Sequence, residues 1–417
     1  MKIENYQTIN LKMVKTLPKK KIAIVNVFFP PHSVGGATRV VSDNIDILTR
    51  DYADEFELVA FTSDDSQSES HRLKVYAYKG LRVYKATVLW RINMDWSAQD
   101  SAMGELFDEF LDFEKPDLVH FHCIQRLTAN IVEATISRGI PYVVTAHDAW
   151  WISDYQFLVD TEGTVYPDGH PELNAPIPLP DGVSFQQSVK RRSHLKNLLG
   201  QANKVLTVSE SFASLYRKNG IENVVVNKNG ISDHIEWRPK DTSYTPNVVC
   251  AHIGGMSEHK GYFLFKEAIE STAPKNIEVL VIDHSKEEDY LSKTDWNGVS
   301  VIIQGRVSQN HIIDLYSKID VLLAPSIWPE SYGLVTREAA ACGCWVVASD
   351  IGGLAEDIQN RKNGLRIAPN SLKSLEQSFD WIIENREHIK STAPNPKLRL
   401  ASEQVYELTK LYLEINN

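Results

Sequence analysis

Val321-Leu322-Leu323-Ala324-Pro325-Ser326-Ile327-Trp328-Pro329-Glu330-Ser331-Tyr332-Gly333-Leu334-Val335-Thr336-Arg337-Glu338 passes from an apolar, strand-like run through a Pro- and Ser-bearing loop into a helical pattern that ends near Gly343. This order puts a helix N-terminus at the C-terminal edge of a parallel sheet. Free backbone N–H groups and the positive end of the helix dipole attract phosphate there. Glu330 stands beside such an anion, and Glu338, about two turns further on, faces the same ligand from deeper in the helix. Two carboxylates at an anion site suit a polyhydroxylated ligand such as a nucleotide-sugar, with one Glu for the sugar hydroxyls and the other for the ribose. The competing reading is a pair of solvated helix glutamates.

Outward from this segment the chain alternates β-rich runs with helical patterns. Residues 22–27, 56–61, 118–121, 142–146, 205–208 and 224–226 read as strands, and the rhythm restarts at 248–253, 279–282, 299–303, 321–324 and 345–348. Strands alternating with helices of about 10 to 15 residues make doubly wound parallel sheets. The break lies in the polar stretch 233–246, with Pro239, Thr242, Ser243, Thr245 and Pro246, which reads as a linker. An α/β protein of two facing Rossmann-like domains follows, with ligands in the cleft beyond the strand C-termini. The expected divisions are an extension at 1–20, a first domain at 21–235, a second at 236–395 and a terminal helix within 396–417. Residues 151–181 are irregular, with Pro167, Pro171, Pro176, Pro178 and Pro180, and so long a loop reads as a lid or a binding surface.

A chain of 417 residues exceeds one ordinary core, which agrees with two domains. The formal net charge of -10 argues against nucleic acid as the main partner. Cys123, Cys250, Cys342 and Cys344 lie in or next to apolar stretches, as buried thiols of a reducing cytosol do. No run approaches the ~20 apolar residues of a membrane span, and the N-terminus lacks an apolar signal core, so a cytoplasmic location is expected.

Glu330 and Glu338, with Gly343, the strand at 345–348 and then Ser349-Asp350-Ile351-Gly352-Gly353-Leu354-Ala355-Glu356, resemble the donor site of retaining GT-B glycosyltransferases, specifically glycosyltransferase family 4 (glycosyl transferases group 1). The resemblance implies that the first domain takes the acceptor, the second binds a nucleoside-diphosphate sugar, and the last helix crosses back onto the first domain. It implies donor contacts from Ser331, Tyr332, Gly333, Leu334 and Val335 as well as from the two glutamates. Gly254 and Lys260 match a family motif whose Arg and Lys bind the donor diphosphate, but Gly255 stands where the Arg is expected. That departure removes one of two fixed cations. Arg306 and Val307 are implied to lie against the nucleobase, with Arg306 a candidate to replace the missing arginine. Gly35 and Gly36, after the first strand, resemble the loop that closes the cleft over diphosphate and acceptor. His147 matches a Thr-x-His-Asp pattern and is expected to contact the donor sugar. A bland surface lysine, an exposed loop arginine and a structural histidine are the competing readings for Lys260, Arg306 and His147. His120 and His122 read as packing or surface residues.

No Asp-x-Asp triplet occurs, so no metal and no other cofactor is expected; Lys260 and the helix dipole would replace a divalent ion. The basic segment within 185–200, including Lys190, Arg191 and Arg192, reads either as a solvated face or as a peripheral membrane contact. Aromatic faces at Trp150, Trp151 and Tyr155, near Asp154, are candidates for stacking on an acceptor. The function implied is a metal-independent, retaining transfer of a sugar, with Glu330, His147 and Lys260 as the catalytic set. The donor is expected to be a UDP-sugar and the acceptor a glycan or lipid-linked hydroxyl, in polysaccharide biosynthesis. A nucleotide-sugar epimerase of the same architecture and a non-catalytic nucleotide-sugar binder are the other classes the sequence admits.

Overall fold

A computed structural model describes residues 18–31, 35–65, 69–175, 177–237, 246–394 and 396–415. Residues 1–17 of the expected extension and most of the expected linker therefore lie outside the described residues.

The first lobe carries β1 (Lys20–Val25), β2 (Phe56–Asp64), β3 (Leu73–Tyr78), β4 (Leu81–Thr87), β5 (Leu118–Phe121), β6 (Tyr142–Ala146), β7 (Lys204–Thr207) and β8 (Val224–Val226). Its helices are α1 (Gly35–Asp51), α2 (Ser101–Glu114), α3 (Asn130–Ser137), α4 (Phe185–Gln201) and α5 (Glu210–Lys218). The second lobe carries β9 (Val248–His252), β10 (Ile277–Asp283), β11 (Leu291–Trp296), β12 (Val299–Gly305), β13 (Val321–Ala324), β14 (Trp345–Ser349) and β15 (Gly364–Ile367). With them run α6 (Tyr262–Thr272), α7 (Ile312–Ser317), α8 (Leu334–Ala341), α9 (Leu372–Glu384) and α10 (Arg386–Ser391), and α11 (Ala401–Glu414) closes the order.

The first sheet has the order β3-β4-β2-β1-β5-β6-β7-β8 and the second β11-β12-β10-β9-β13-β14-β15. Only β3 and β11, each at an edge, run antiparallel to their neighbours. Strands β5, β6, β13 and β14, in the middle of the sheets, are buried throughout, as a sheet covered by helices on both faces requires. Strand order reverses direction beside β1 and β5 in one lobe and beside β9 and β13 in the other. Loops leaving those strands part to opposite faces and open a crevice, the usual ligand position in such sheets.

Helix α11 packs on the first lobe: Ala401, Val405, Leu408 and Tyr412 share a core with Ile22, Ile24 and Val41. Of these, Val405 and Leu408 each contribute roughly 1.5–3 kcal/mol relative to exposure. A backbone bridge between Ile231 and Leu400 ties the two crossings of the chain together.

Candidate active site

The second-lobe half of the crevice is built by the loops after β9 and β13. Lys260 ends the first loop, and its Nζ lies 2.9 Å from Glu330 Oε2. Glu330 is buried and also accepts a hydrogen bond from the Ser326 hydroxyl. Burial works to raise its pKa, but the Lys260 ammonium and the Ser326 hydroxyl outweigh it and hold the carboxyl below its ordinary range. The Lys260 ammonium also stands 5.5 Å from the centre of the Trp328 ring. The loop carrying Glu330 is fixed from below: Gly353 N–H donates to Glu330 O at 2.7 Å. A Cβ at Gly352 would overlap the Glu330 backbone, so that close approach requires glycine.

Arg337 completes the support. It is buried and donates to the carbonyls of Tyr332, Gly353 and Leu354 while pairing with Asp357 at 2.7 Å. Its guanidinium lies 4.1 Å from the centre of the Tyr332 ring. The Tyr332 side chain is therefore packed inside, with its hydroxyl pushed up to about 12 by burial, rather than offered to a ligand. Ser331, Leu334 and Val335 are half-buried at the start of α8, where Gly333 is the N-cap residue.

Glu338 is 1% exposed and forms an ion pair with Arg39, a residue of α1 in the opposite lobe. Tyr316 donates to its other oxygen at 3.3 Å. Burial raises the Glu338 pKa and Arg39 opposes that rise. Beside it, a Cβ on Gly36 would lie 3.3 Å from the Leu334 side chain, so the start of α1 touches the start of α8 across the crevice. Gly35 opens α1 beside it, exposed.

Gly254 and Gly255 follow β9. Gly255 has φ +74°, a conformation that an arginine side chain disfavours, which gives a physical reason for the departure noted in the sequence. Arg306 does not fill the gap: its guanidinium pairs with Glu287 on an exposed rim. Arg306 and Val307 instead line a cavity of about 280 Å³ after β12, with Gln304, Ser308, His311 and Leu315.

On the first-lobe side, His147 follows β6 and His122 follows β5, and His122 Nδ1 lies 3.0 Å from His147 Nε2. Burial holds His147 down to about 4 and His122 well below its ordinary value, so both are neutral. His120 is an interior residue bonded to the Tyr412 hydroxyl at 2.6 Å and to Thr145 at 2.7 Å.

Two expectations are corrected in this lobe. Arg191 and Arg192 are buried, so they present no basic face to a membrane. Arg191 donates to the carbonyls of Trp96, Trp150 and Ser153, and Arg192 pairs with Asp154 at 3.2 Å; the need to satisfy the buried loop backbone draws them inward. Trp150, Trp151 and Tyr155 are likewise buried and offer no stacking face. Phe157 is the member of that loop that reaches out. It stacks on His259 of the second lobe with centroids 5.0 Å apart and meets the edge of Trp328.

Arg39, His122, Ser326, Trp328 and Phe157 escaped the sequence reading as site residues. Only proximity offered a signal: Arg39 lies one turn past Gly35-Gly36, and Ser326 and Trp328 precede Glu330. Among the described residues, no helix is long and apolar enough to cross a membrane, and no group of three or more His, Cys, Asp or Glu side chains is arranged to hold a metal ion.

Two facing Rossmann-like lobes with this crevice define the GT-B fold. Residues 233–399 match the model of glycosyl transferases group 1, and residues 34–234 match the model of glycosyltransferase family 4. The chain is a glycosyltransferase of GT-B architecture. It is 24% identical over 89% of its length to an uncharacterized glycosyltransferase, MJ1607, of Methanocaldococcus jannaschii, spanning 92% of that protein. A second protein of that organism, MJ1178, is 25% identical over 52% of the chain, and the match spans 60% of its length. Among solved structures, sucrose-phosphate synthase from Thermosynechococcus elongatus superposes with TM-score 0.68 at 17% identity, covering 95% of this chain and 99% of that one. HepE of Anabaena in complex with UDP-glucose superposes with TM-score 0.60 at 17% identity, covering 94% of each chain.

Proposed function

We propose that the chain is a retaining, family 4 glycosyltransferase that moves a sugar from a UDP-sugar to a hydroxyl of a glycan or lipid-linked acceptor, without a metal ion, in cytoplasmic polysaccharide assembly. The observation that carries this reading is the Lys260–Glu330 pair, set at the strand-order switch of the second sheet beside the start of α8. The barrier to sugar transfer is departure of the diphosphate from an oxocarbenium-like centre. Lys260 and the first amides of α8 stabilise the charge that grows on the leaving phosphate. Glu330, kept ionised by Lys260, accepts hydrogen bonds from the sugar hydroxyls and fixes the reacting carbon against the acceptor. The cavity beside Val307 receives the base, and Glu338 the ribose. Neutral His147 meets the sugar from the opposite lobe. The leaving phosphate oxygen takes the acceptor proton, which keeps attack and departure on one face and retains configuration.

The test is transfer from UDP-, GDP- and ADP-sugars to oligosaccharide and lipid-linked acceptors, with EDTA present and with NMR of the product's anomeric centre. Transfer from a UDP-sugar with retained configuration and undiminished by EDTA is expected. Inversion, loss of turnover with EDTA, or isomerisation of the donor without acceptor each contradicts the reading.

A further inference from the structure

We propose that Arg39 is a ligand of the donor diphosphate, supplied by the first lobe and held across the crevice by Glu338. The inference rests on the function proposed above and deepens it.

Two ion pairs face the crevice, Lys260 with Glu330 and Arg39 with Glu338. An incoming nucleoside diphosphate brings negative charge that one ammonium and a helix start must otherwise neutralise. The other guanidiniums nearby are committed. Arg337 is buried against three carbonyls and Asp357, and Arg306 pairs with Glu287 at the exposed rim. Position 255 is a glycine at positive φ, so the loop that carries Lys260 supplies no guanidinium there.

Arg39 differs from these. Its side chain is 21% exposed, it projects from α1 beside the Gly36–Leu334 contact, and its Nη2 is paired with Glu338 Oε1. A guanidinium has five N–H donors in a fixed fork that matches phosphate oxygens. Glu338 is meanwhile a buried acceptor that keeps Tyr316 on Oε2, so ribose hydroxyls can take the place of Arg39 on Oε1. Binding therefore exchanges partners: ribose O–H groups take Glu338, and the released guanidinium turns to the diphosphate. Donor and acceptor numbers stay matched, and the second cation arrives from across the crevice.

The experiment is calorimetric titration of the full-length wild type and the Arg39→Ala and Arg39→Lys variants with UDP, GDP and ADP and with uridine, guanosine and adenosine. Melting temperatures check that the variants are folded. For the nucleotide the wild type binds, Arg39→Ala is expected to weaken the diphosphate roughly 10- to 100-fold, the span of one or two hydrogen bonds to a charged group. The matching nucleoside is expected to bind unchanged or more tightly, because Glu338 no longer has a competing partner. Arg39→Lys recovers part of the diphosphate affinity. Equal losses for nucleoside and diphosphate, or no loss for either, overturn the proposal and leave the donor site itself standing. A folded wild type that binds none of the six compounds overturns the donor-site reading and this proposal with it.

Discussion

The two walls of the crevice are built on opposite electrostatic principles. The second-lobe wall presents charge: Lys260, Glu330 and Glu338 are held in place by ion pairs and by the hydroxyls of Ser326 and Tyr316. The first-lobe wall presents neutral groups, the His122–His147 pair and the Phe157 ring, and keeps its charges inside, where Arg191, Arg192 and Asp154 lock the loop after β6. A leaving diphosphate needs fixed charge, and preorganised charge in a crevice of low polarity is the largest lever on such a barrier. An acceptor sugar needs shape and hydrogen bonds instead. Arg39, paired with Glu338, is an exception, a first-lobe charge presented to the second lobe, as is Lys228, which pairs with Asp357 at 2.8 Å.

Five substitutions break or sharpen this contrast. Asp154→Ala leaves two guanidiniums, each nearly inaccessible, without their carboxylate. It is expected to cost the first lobe about 3–5 kcal/mol in urea unfolding while the transition of the second lobe stays in place. Lys260→Ala and Glu330→Ala are both expected to fold, Lys260→Ala with a lowered melting temperature because the buried Glu330 carboxyl loses its cation, and each lowers kcat/KM roughly 10²- to 10³-fold, the effect of removing one preorganised stabilising group. A loss below tenfold in either contradicts the charged-wall assignment.

Acid separates the walls more gently. His120 and His147 have folded pKa values held by burial to about 3 and about 4, against an unfolded value near 6.5. Between these limits the unfolded chain binds more protons, so the stability from keeping these rings neutral is whole above about pH 6.5 and drains as pH falls towards 4. The melting temperature of His120→Gln is expected to fall less between pH 7 and 4.5 than that of the wild type, and parallel curves contradict this. The smallest effect belongs to Phe157→Ala, which removes a ring pair worth about 0.5–1.5 kcal/mol and is expected to raise the donor KM roughly two- to tenfold.

Legibility in the sequence follows the same division. The second-lobe wall was readable because its parts are local: β13, the loop with Glu330 and the start of α8 are consecutive, and Lys260 follows its strand directly. The alternation that sets the two sheets was readable because inner strands are buried on both faces and carry continuous apolar runs. The first-lobe wall was not. Arg191 and Arg192 form a charged run that suggests an exposed face, and only tertiary contacts with Trp96, Trp150 and Asp154 show it to be interior. His122 gains its meaning from a strand neighbour 25 residues away, and Arg39 from a carboxylate in the other lobe. Pairings across a sheet or a crevice leave no periodicity in one chain.

The central claim is that the activated sugar's diphosphate lies between Lys260 and the start of α8. A structure of the protein with UDP or a UDP-sugar tests it most directly. The account predicts phosphate oxygens within hydrogen-bonding distance of Lys260 Nζ and of the backbone amides at 333–335; a diphosphate seated elsewhere, with Lys260 still closed on Glu330, contradicts it.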